Sequence, residues 1–297
     1  YTDLQLRNID YQITGSTSNI DQLVVDKKYS FFNPKAGLNY DINQKNKIYF
    51  YLSKAHREPT RSDFENNINI QPEELIDYEL GWKYNAEKFF FNSNLYYMGY
   101  KNQLVLTGSL DDVGSPIREN SGKSYRTGIE LESVYKATNK LNISANISFS
   151  ENKNVDYKTN YNGIIKDWGD TDISFSPNVI SSAGIQFSAS EDLTFTLLNK
   201  FVGNQYMSNT ESNISKLSSY STADLNILYT IKNSAYFSEI IFTAMINNIF
   251  NKEYVSNGYY YTYDDTWSDP NLITTIEGTG YYPQAMRNFL LGLTLRL

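Results

Sequence analysis

The stretch Phe289-Leu290-Leu291-Gly292-Leu293-Thr294-Leu295-Arg296-Leu297 carries the reading of the fold. Its odd positions are Phe and Leu throughout, while its even positions mix Leu with Gly, Thr and Arg. One face is therefore apolar without a break to the last residue. That pattern suits a strand with lipid on one side and a wetter space on the other. Upstream, Ile240-Ile241-Phe242-Thr243-Ala244-Met245-Ile246 reads as a second strand. It leads through Asn247-Asn248-Ile249-Phe250-Asn251-Lys252-Glu253-Tyr254 towards that ending.

Working outward, a period of two dominates the chain and no long segment holds a helical period. In Ile76-Asp77-Tyr78-Glu79-Leu80-Gly81-Trp82-Lys83-Tyr84 every even position is large and apolar, and the odd ones are Asp, Glu, Gly and Lys. The same division runs through residues 32–42, 141–149 and 223–229. Each apolar face spans roughly 9 to 11 residues, enough for a tilted strand to cross the hydrocarbon layer. Tight polar turns are read at Gln44-Lys45-Asn46-Lys47, Asn85-Ala86-Glu87-Lys88, Thr138-Asn139-Lys140, Ser190-Glu191-Asp192 and Lys232-Asn233-Ser234. Longer polar connections fall at 14–28, 57–74, 107–122, 153–175, 207–218 and 255–280. Short turns on one side and long loops on the other are the asymmetry of outer-membrane barrels. The expectation is an all-β, antiparallel transmembrane barrel wall of about twelve strands, forming one domain over 1–297. Its last strand runs towards the short-turn side, so the carboxyl terminus is expected in the periplasm. A soluble all-β protein is the alternative, although Asn and Ser recur on the polar faces, where such proteins usually present Lys, Glu and Thr.

Composition narrows the function. The chain has 297 residues, a net charge of -7, no Cys, one His, 26 Tyr and 16 Phe. Disulfides and thiolate metal sites are excluded. The acidic balance argues against nucleic acid, which needs a basic face to replace phosphate counterions. Tyrosine suits membrane interfaces, where one end of the ring is apolar and the other wet. No apolar run of about 18 residues marks a transmembrane helix, and no signal peptide opens the chain, because Tyr1-Thr2-Asp3-Leu4-Gln5 already reads as strand.

Four segments resemble the C-terminal barrel half of TonB-dependent outer-membrane receptors. The first is Asn33-Pro34-Lys35-Ala36-Gly37-Leu38-Asn39-Tyr40 followed by the strand from Ile48 to Pro59. The second is Pro72-Glu73-Glu74 leading into Tyr78-Glu79-Leu80-Gly81-Trp82-Lys83. The third is Asn120-Ser121-Gly122-Lys123 with Gly128-Ile129-Glu130-Leu131-Glu132. The fourth is the ending itself, where Asn247, Asn248, Phe250, Asn251 and Tyr254 match the family's penultimate-strand signature. Arg287 and Phe289 match its entry into the last strand. Two positions depart: Met286 stands where the family usually has Gly, and Leu297 where it usually ends on an aromatic residue. The run from His56 to Phe64, with the Asn, Lys and Tyr richness, looks most like Bacteroidota-type members.

The resemblance implies about twelve C-terminal strands of a barrel of about 22 with a plugged lumen. Nothing in the chain resembles the plug domain or the energy-coupling box, so it is expected to be the C-terminal part of a longer receptor. Active import of a scarce solute follows from the resemblance, with the TonB complex as partner through the part not represented. A ferric siderophore or other iron complex is the foremost cargo. Cobalamin, haem and carbohydrate stay open, and a passive channel or structural barrel is the other reading. Outer-membrane lipid and lipopolysaccharide are the surrounding partners, and no cofactor is implied.

Catalysis has little support: one His, no Cys, no Gly-x-Ser-x-Gly and no metal-ligand spacing. Lys54 and His56 are expected to face the lumen, because Lys54 facing lipid at mid-depth would cost about 2 to 4 kcal/mol. Arg57 is placed at the rim; His56, Arg57 and Arg61 are candidates for ligand contact, with loop carboxylates as the other partners of the two arginines. Lys35, Asp41, Asp77, Glu79, Lys83, Glu130, Glu132 and Asp224 fall on the polar parity and would face the plug or line the path it vacates. Tyr259, Tyr260, Tyr261, Tyr263 and Trp267 either stack on a chelate or form the aromatic girdle. Asp264, Asp265 and Asp269 offer a weak cation signal. Arg287 is expected at headgroup level, binding lipid phosphates or loop carboxylates.

Overall fold

A computed structural model describes residues 1–17, 20–110, 116–232, 236–269 and 271–297. Twelve antiparallel strands make a continuous wall in chain order: β1 (Thr2–Gly15), β2 (Leu23–Asp41), β3 (Asn46–Arg57), β4 (Glu73–Asn85), β5 (Phe89–Lys101), β6 (Lys123–Thr138), β7 (Leu141–Tyr161), β8 (Val179–Ser188), β9 (Leu193–Val202), β10 (Tyr220–Lys232), β11 (Glu239–Asn247) and β12 (Asn288–Arg296). Among the described residues β1 and β12 each have one neighbour and do not pair with each other, so the wall is an open sheet.

Register turns the alternation into two faces, since directly paired residues project to the same side. One line of partners runs Leu38, Phe50, Leu80, Leu95, Ile129, Phe149 from β2 to β7. A second runs Ile143, Ile185, Leu197, Leu225, Ile246, Phe289 from β7 to β12. This apolar face is bare, with Leu38, Leu80, Leu95, Leu291 and Leu293 all exposed. A water-soluble protein does not leave so large a contiguous apolar surface uncovered. A bilayer covers it, and between neighbouring strands of the wall the backbone groups satisfy one another.

The opposite face is polar. Lys83, Asn92, Glu132, Asn146, Ser182, Lys200 and Thr222 form one register line across β4 to β10. Tyrosine rings lie flat here over glycines on the next strand: Tyr49 covers Gly81, and Tyr51 covers Gly37. The Tyr49 hydroxyl donates to Asn94 Oδ1 at 3.1 Å, and Lys83 Nζ sits 5.1 Å from the Tyr49 ring centre.

The short turns form where the sequence places them. Asn43 Oδ1 accepts the Lys45 and Asn46 amides, and Ser190 Oγ accepts the Asp192 and Leu193 amides. Asn233 and Ser234, read as part of a further turn, lie outside the described residues, as does Pro270 at the end of the aromatic run.

The long polar connections carry regular structure of their own. Most are β-structure: Leu104–Leu110 pairs with Pro116–Asn120, Ile164–Asp172 with the end of β7, Gln205–Tyr206 with Lys216–Leu217, and Val255–Asp265 with Thr274–Pro283. Alternation persists beyond the membrane band because hairpin strands satisfy each other's backbone groups there as well. The connection from β3 to β4 instead forms a short helix, α1 (Arg61–Asn66). So brief a helix is marginal alone, and tertiary contacts hold it. Asp63 Oδ2 caps the Thr60 amide at 2.8 Å, and Phe64 is fully buried against Leu23, Val25, Ile70 and Leu104. The main apolar cluster thus lies at the loop end of the wall, beyond the strand midpoints.

Candidate functional site

Four hairpins meet above the polar face and are tied by side chains that polar loops make available. Asn209 is the hub. Its Oδ1 accepts from Asn154 Nδ2 at 3.2 Å and from the Ser174 amide at 2.9 Å, and its Nδ2 donates to the Leu106 carbonyl at 2.7 Å. Asn162 and Thr275 exchange two bonds of 2.8 Å, each amide donating to the other's side chain. Asn162 and Gly163 both have positive φ, 54° and 74°, the turn that an Asn-Gly pair favours between antiparallel strands. The Tyr157 hydroxyl donates to Glu119 Oε1 at 3.1 Å in a nearly dry setting. Burial pushes the Glu119 carboxyl above its ordinary range, with the Tyr157 bond opposing the shift. Burial and the neighbouring Glu119 likewise push the Tyr157 phenol up.

Among these hairpins lies a half-open cavity of about 470 Å³ lined by Leu106, Gly108, Phe175, Gln205, Met207 and the segment 256–260. Tyr260 is buried on its wall beside Met207 and Leu217, and burial followed by Glu277 raises its phenol pKa. A second, more open cleft of about 390 Å³ lies on the polar face of the strands. Asp77, Glu79, Glu130, Arg126, Tyr96 and Asn152 are among its lining residues. Phe175 lines both cavities, with φ at 53°, a conformation uncommon for a bulky side chain. Arg126 donates to Asn152 Oδ1 at 3.2 Å and to Ser176 Oγ at 2.9 Å.

The residues singled out from sequence are distributed unevenly over this architecture. Asp77, Glu79 and Glu130 meet in the open cleft, and Glu130 and Glu132 line an adjoining depression. Lys35 and Asp41 share the polar parity of Gly37 on β2, and Asp224 Oδ1 accepts the Asn248 amide at 2.7 Å. Arg57 contacts Glu73 at 3.3 Å and Arg61 contacts Glu65 at 2.6 Å, so both meet carboxylates of the chain itself.

Lys54 departs from expectation, whereas the His56 ring, though on the same register, reaches Phe31 and Asn33 on the polar parity of β2. In register they share the parity of Phe50 and Leu52, opposite Ile76 and Glu74. The physical reason is local neutralisation near the loop end of β3: Glu74 Oε2 contacts Lys54 Nζ at 3.0 Å and His56 Nε2 at 3.2 Å. Pairing of β3 with β2 stops at Ser53, and the imidazole bridges the opening, stacked on Phe31 with Nδ1 2.8 Å from Asn33 Oδ1.

The aromatic run also divides. Tyr259, Tyr261 and Tyr263 project from one face of their hairpin, with Tyr259 and Tyr261 lying over Gly280 and Gly278. Trp267 stacks on Tyr263 at 5.9 Å, whereas Tyr260 projects from the other face into the loop cluster. A strand sends neighbours to opposite sides, so the five rings do not form one surface. Asp264 accepts from Thr275, Asp265 from the Trp267 and Ser268 amides, and Asp269 from the Asn271 amide, which makes them turn and hairpin acceptors. No cluster suited to a metal occurs among the described residues.

Arg126, Asn154, Tyr157 and Asn209 were not anticipated. Only Asn162-Gly163, a hairpin turn signal, pointed towards the structure that assembles them.

The family profile described as TonB dependent receptor-like, beta-barrel, matches residues 3–251. The chain belongs to the TonB-dependent receptor β-barrel family. It is a family of bacterial outer-membrane transporters and not of enzymes. No curated protein matches the chain. Among solved structures, the siderophore receptor PiuA from Acinetobacter baumannii aligns at TM-score 0.68 with 17% identity, over 94% of this chain and 38% of PiuA. The ferric-catecholate import receptor Fiu from K12 E. coli aligns at TM-score 0.65 with 14% identity, over 98% and 41% of the two chains. The ferric citrate transporter FecA aligns at TM-score 0.65 with 16% identity, over 92% and 39%. The chain thus spans about two fifths of the length of these structures.

Within this receptor wall the signature at β11 acts as a clamp. Asn248 and Asn251 adopt left-handed φ of 50° and 56°, which turns the chain sharply after the strand. Asn248 is buried, receives the Lys252 amide on Oδ1 at 2.9 Å, and donates Nδ2 to the Lys252 carbonyl at 2.8 Å. Asn251 Oδ1 accepts the Arg287 amide at 3.0 Å, and Asn247 Nδ2 donates to Asn288 Oδ1 at 2.9 Å. Tyr254 packs on Tyr220 with ring centres 4.5 Å apart, whereas Phe250 is exposed. Arg287 anchors through its backbone amide. Met286 is exposed and has no positive φ, so no close approach there requires glycine.

Proposed function

We propose that this chain is the C-terminal portion of the barrel of an active importer. On this reading the importer takes up a scarce solute across the bacterial outer membrane, powered through the TonB complex. The observation that carries the reading is family membership over residues 3–251. The clustered hairpins agree with it: they hold a cavity at the loop end, and binding functions concentrate on loops set on a rigid scaffold. A ferric siderophore or other iron complex is the foremost cargo, because the structural neighbours PiuA, Fiu and FecA are described as receptors or transporters of such complexes. The loop end faces the exterior and the carboxyl terminus the periplasm. The apolar face meets lipid, with lipopolysaccharide around the loop end. The acidic cleft of Asp77, Glu79 and Glu130 faces the lumen, where it hydrates and hydrogen-bonds a plug. The Bacteroidota-type character rests on the run from His56 to Phe64 and the Asn, Lys and Tyr richness.

A passive pore of twelve strands would close by pairing β1 with β12, and these strands do not pair. The test is uptake of iron-55 complexes by cells that depend on this receptor for iron. Accumulation should stop on deletion of TonB or on addition of a protonophore. Uptake that persists unchanged without TonB would rule out active import.

A further inference from the structure

The loop cavity has a charge character that constrains its ligand. Its walls are Leu106, Phe175, Met207, Tyr259 and Tyr260, and its polar groups are Gln205, Ser256 and Asn257, all neutral. No Lys or Arg lines it. The sequence segments not described structurally contain no Lys or Arg either. Three cations elsewhere in the loop cluster are engaged by neighbours. Arg118 pairs with buried Asp63 at 3.1 Å, and Lys153 meets Asp172 at 2.7 Å and Glu211 at 3.5 Å. Lys166 sits 3.6 Å above the Trp168 ring. Beyond Phe175, the adjoining cleft sets three carboxylates, Asp77, Glu79 and Glu130, against the single guanidinium of Arg126.

Burying an ion is costly unless an opposite charge or several hydrogen bonds replace its water. A polyanionic chelate entering this cavity would find no cation among the lining residues this chain supplies, and the neighbouring cleft that shares Phe175 carries net negative charge. An uncharged body with aromatic or aliphatic surface loses little on leaving water and gains contact with Tyr260, Phe175 and the polarizable Met207 sulfur. The chemistry is that of a neutral, amphipathic ligand held by apolar contact and a few neutral hydrogen bonds.

We infer that the surface this chain offers its solute favours an electrically neutral body, its apolar or aromatic part seated against Met207 and Tyr260, over polyanionic ferric chelates. The inference rests on the importer reading and narrows its substrate class.

Binding to the full receptor in detergent tests it. Quenching of intrinsic fluorescence would be read for a neutral ferric tris-hydroxamate complex and for trianionic ferric tris-catecholate and anionic ferric citrate complexes, at fixed ionic strength. The neutral complex should bind at least ~10-fold more tightly than either anion, a gap of about 1.4 kcal/mol. Gln205→Lys should narrow that gap by improving the anions, and Met207→Glu should widen it. Tight binding of a polyanionic complex, equal to or better than the neutral one, overturns the inference. So does a charge preference that Gln205→Lys and Met207→Glu both leave unchanged. Equilibrium binding needs no energy supply, so a neutral preference without TonB-dependent uptake would refute the importer reading and leave the charge selectivity standing.

Discussion

Replacing Asn248 probes whether the β11 signature holds the wall together or merely accompanies it. Its side chain makes two bonds to the Lys252 backbone, at 2.9 and 2.8 Å, and a longer one of 3.4 Å to the Ala285 carbonyl. Alanine would leave the Lys252 amide and carbonyl without their side-chain partner in a part-buried place. At about 1 to 1.5 kcal/mol per bond this amounts to roughly 2 to 3 kcal/mol. Alanine also tolerates the left-handed φ of 50° less well than asparagine, adding a share of the ~1 to 2 kcal/mol that this region costs an L-residue. Asn248→Ala should therefore destabilise the barrel by about 3 to 4 kcal/mol. Asn248→Gly removes the backbone cost alone and should recover about 1 kcal/mol. Asn248→Asp keeps the shape but sets a carboxylate against two carbonyls, and should rank with alanine or below. Urea unfolding of the receptor in lipid vesicles, followed by tryptophan fluorescence and by heat-modifiable gel migration, reads all three. If Asn248→Gly matches the native protein, the side-chain bonds contribute nothing and the reasoning fails.

Arg118→Ala should destabilise the β3–β4 connection by roughly 3 kcal/mol, because Asp63 would lose its Arg118 partner at 3.1 Å while remaining buried. Proteolysis around α1 checks it, and an unchanged cleavage rate would count against a structural role for the pair. Gly81→Ala should cost about 1 to 3 kcal/mol, since a Cβ there collides with the Tyr49 ring on the wall's polar face. The same urea assay would expose an error if the variant were neutral. Glu119 gives a pH dependence with a defined sign. Its folded-state pKa is raised, so its contribution is full below the ordinary carboxylate range and is lost as pH rises through the raised value. Amide exchange in the hairpin Leu104–Leu110 with Pro116–Asn120 should quicken over that rise, and Glu119→Gln should remove the dependence. An identical profile in the variant would refute the assignment.

The wall was legible because burial in lipid leaves a period-two record: Tyr78, Leu80 and Trp82 alternate with Glu79 and Gly81 on β4. Where that constraint ends, the record ends with it. The hairpins beyond the membrane band are ordered by single polar contacts such as Asn209 with Asn154 and the Leu106 carbonyl. Such contacts join positions remote in sequence and leave no periodicity. The parity of Lys54 was misread because cost was assigned to an unpaired charge at mid-depth, whereas Glu74 supplies a partner near the strand's end. The acidic cleft was only half legible. Asp77, Glu79 and Glu130 declare themselves by parity, but Arg126 stands on the same face of β6 within a Tyr-Arg-Thr run that has no distinguishing pattern.

The exchange of bonds between Asn162 and Thr275 spans 113 positions of sequence and fastens one hairpin tip to the flank of another. Segments fastened in this manner give up their conformational entropy when the chain folds. An arriving solute then meets a surface with little freedom left to lose, and its affinity is not eroded by ordering the loops around it. The corollary concerns time as well as strength. Stiff segments also yield slowly, so on the importer reading a body seated among these hairpins would leave slowly as well.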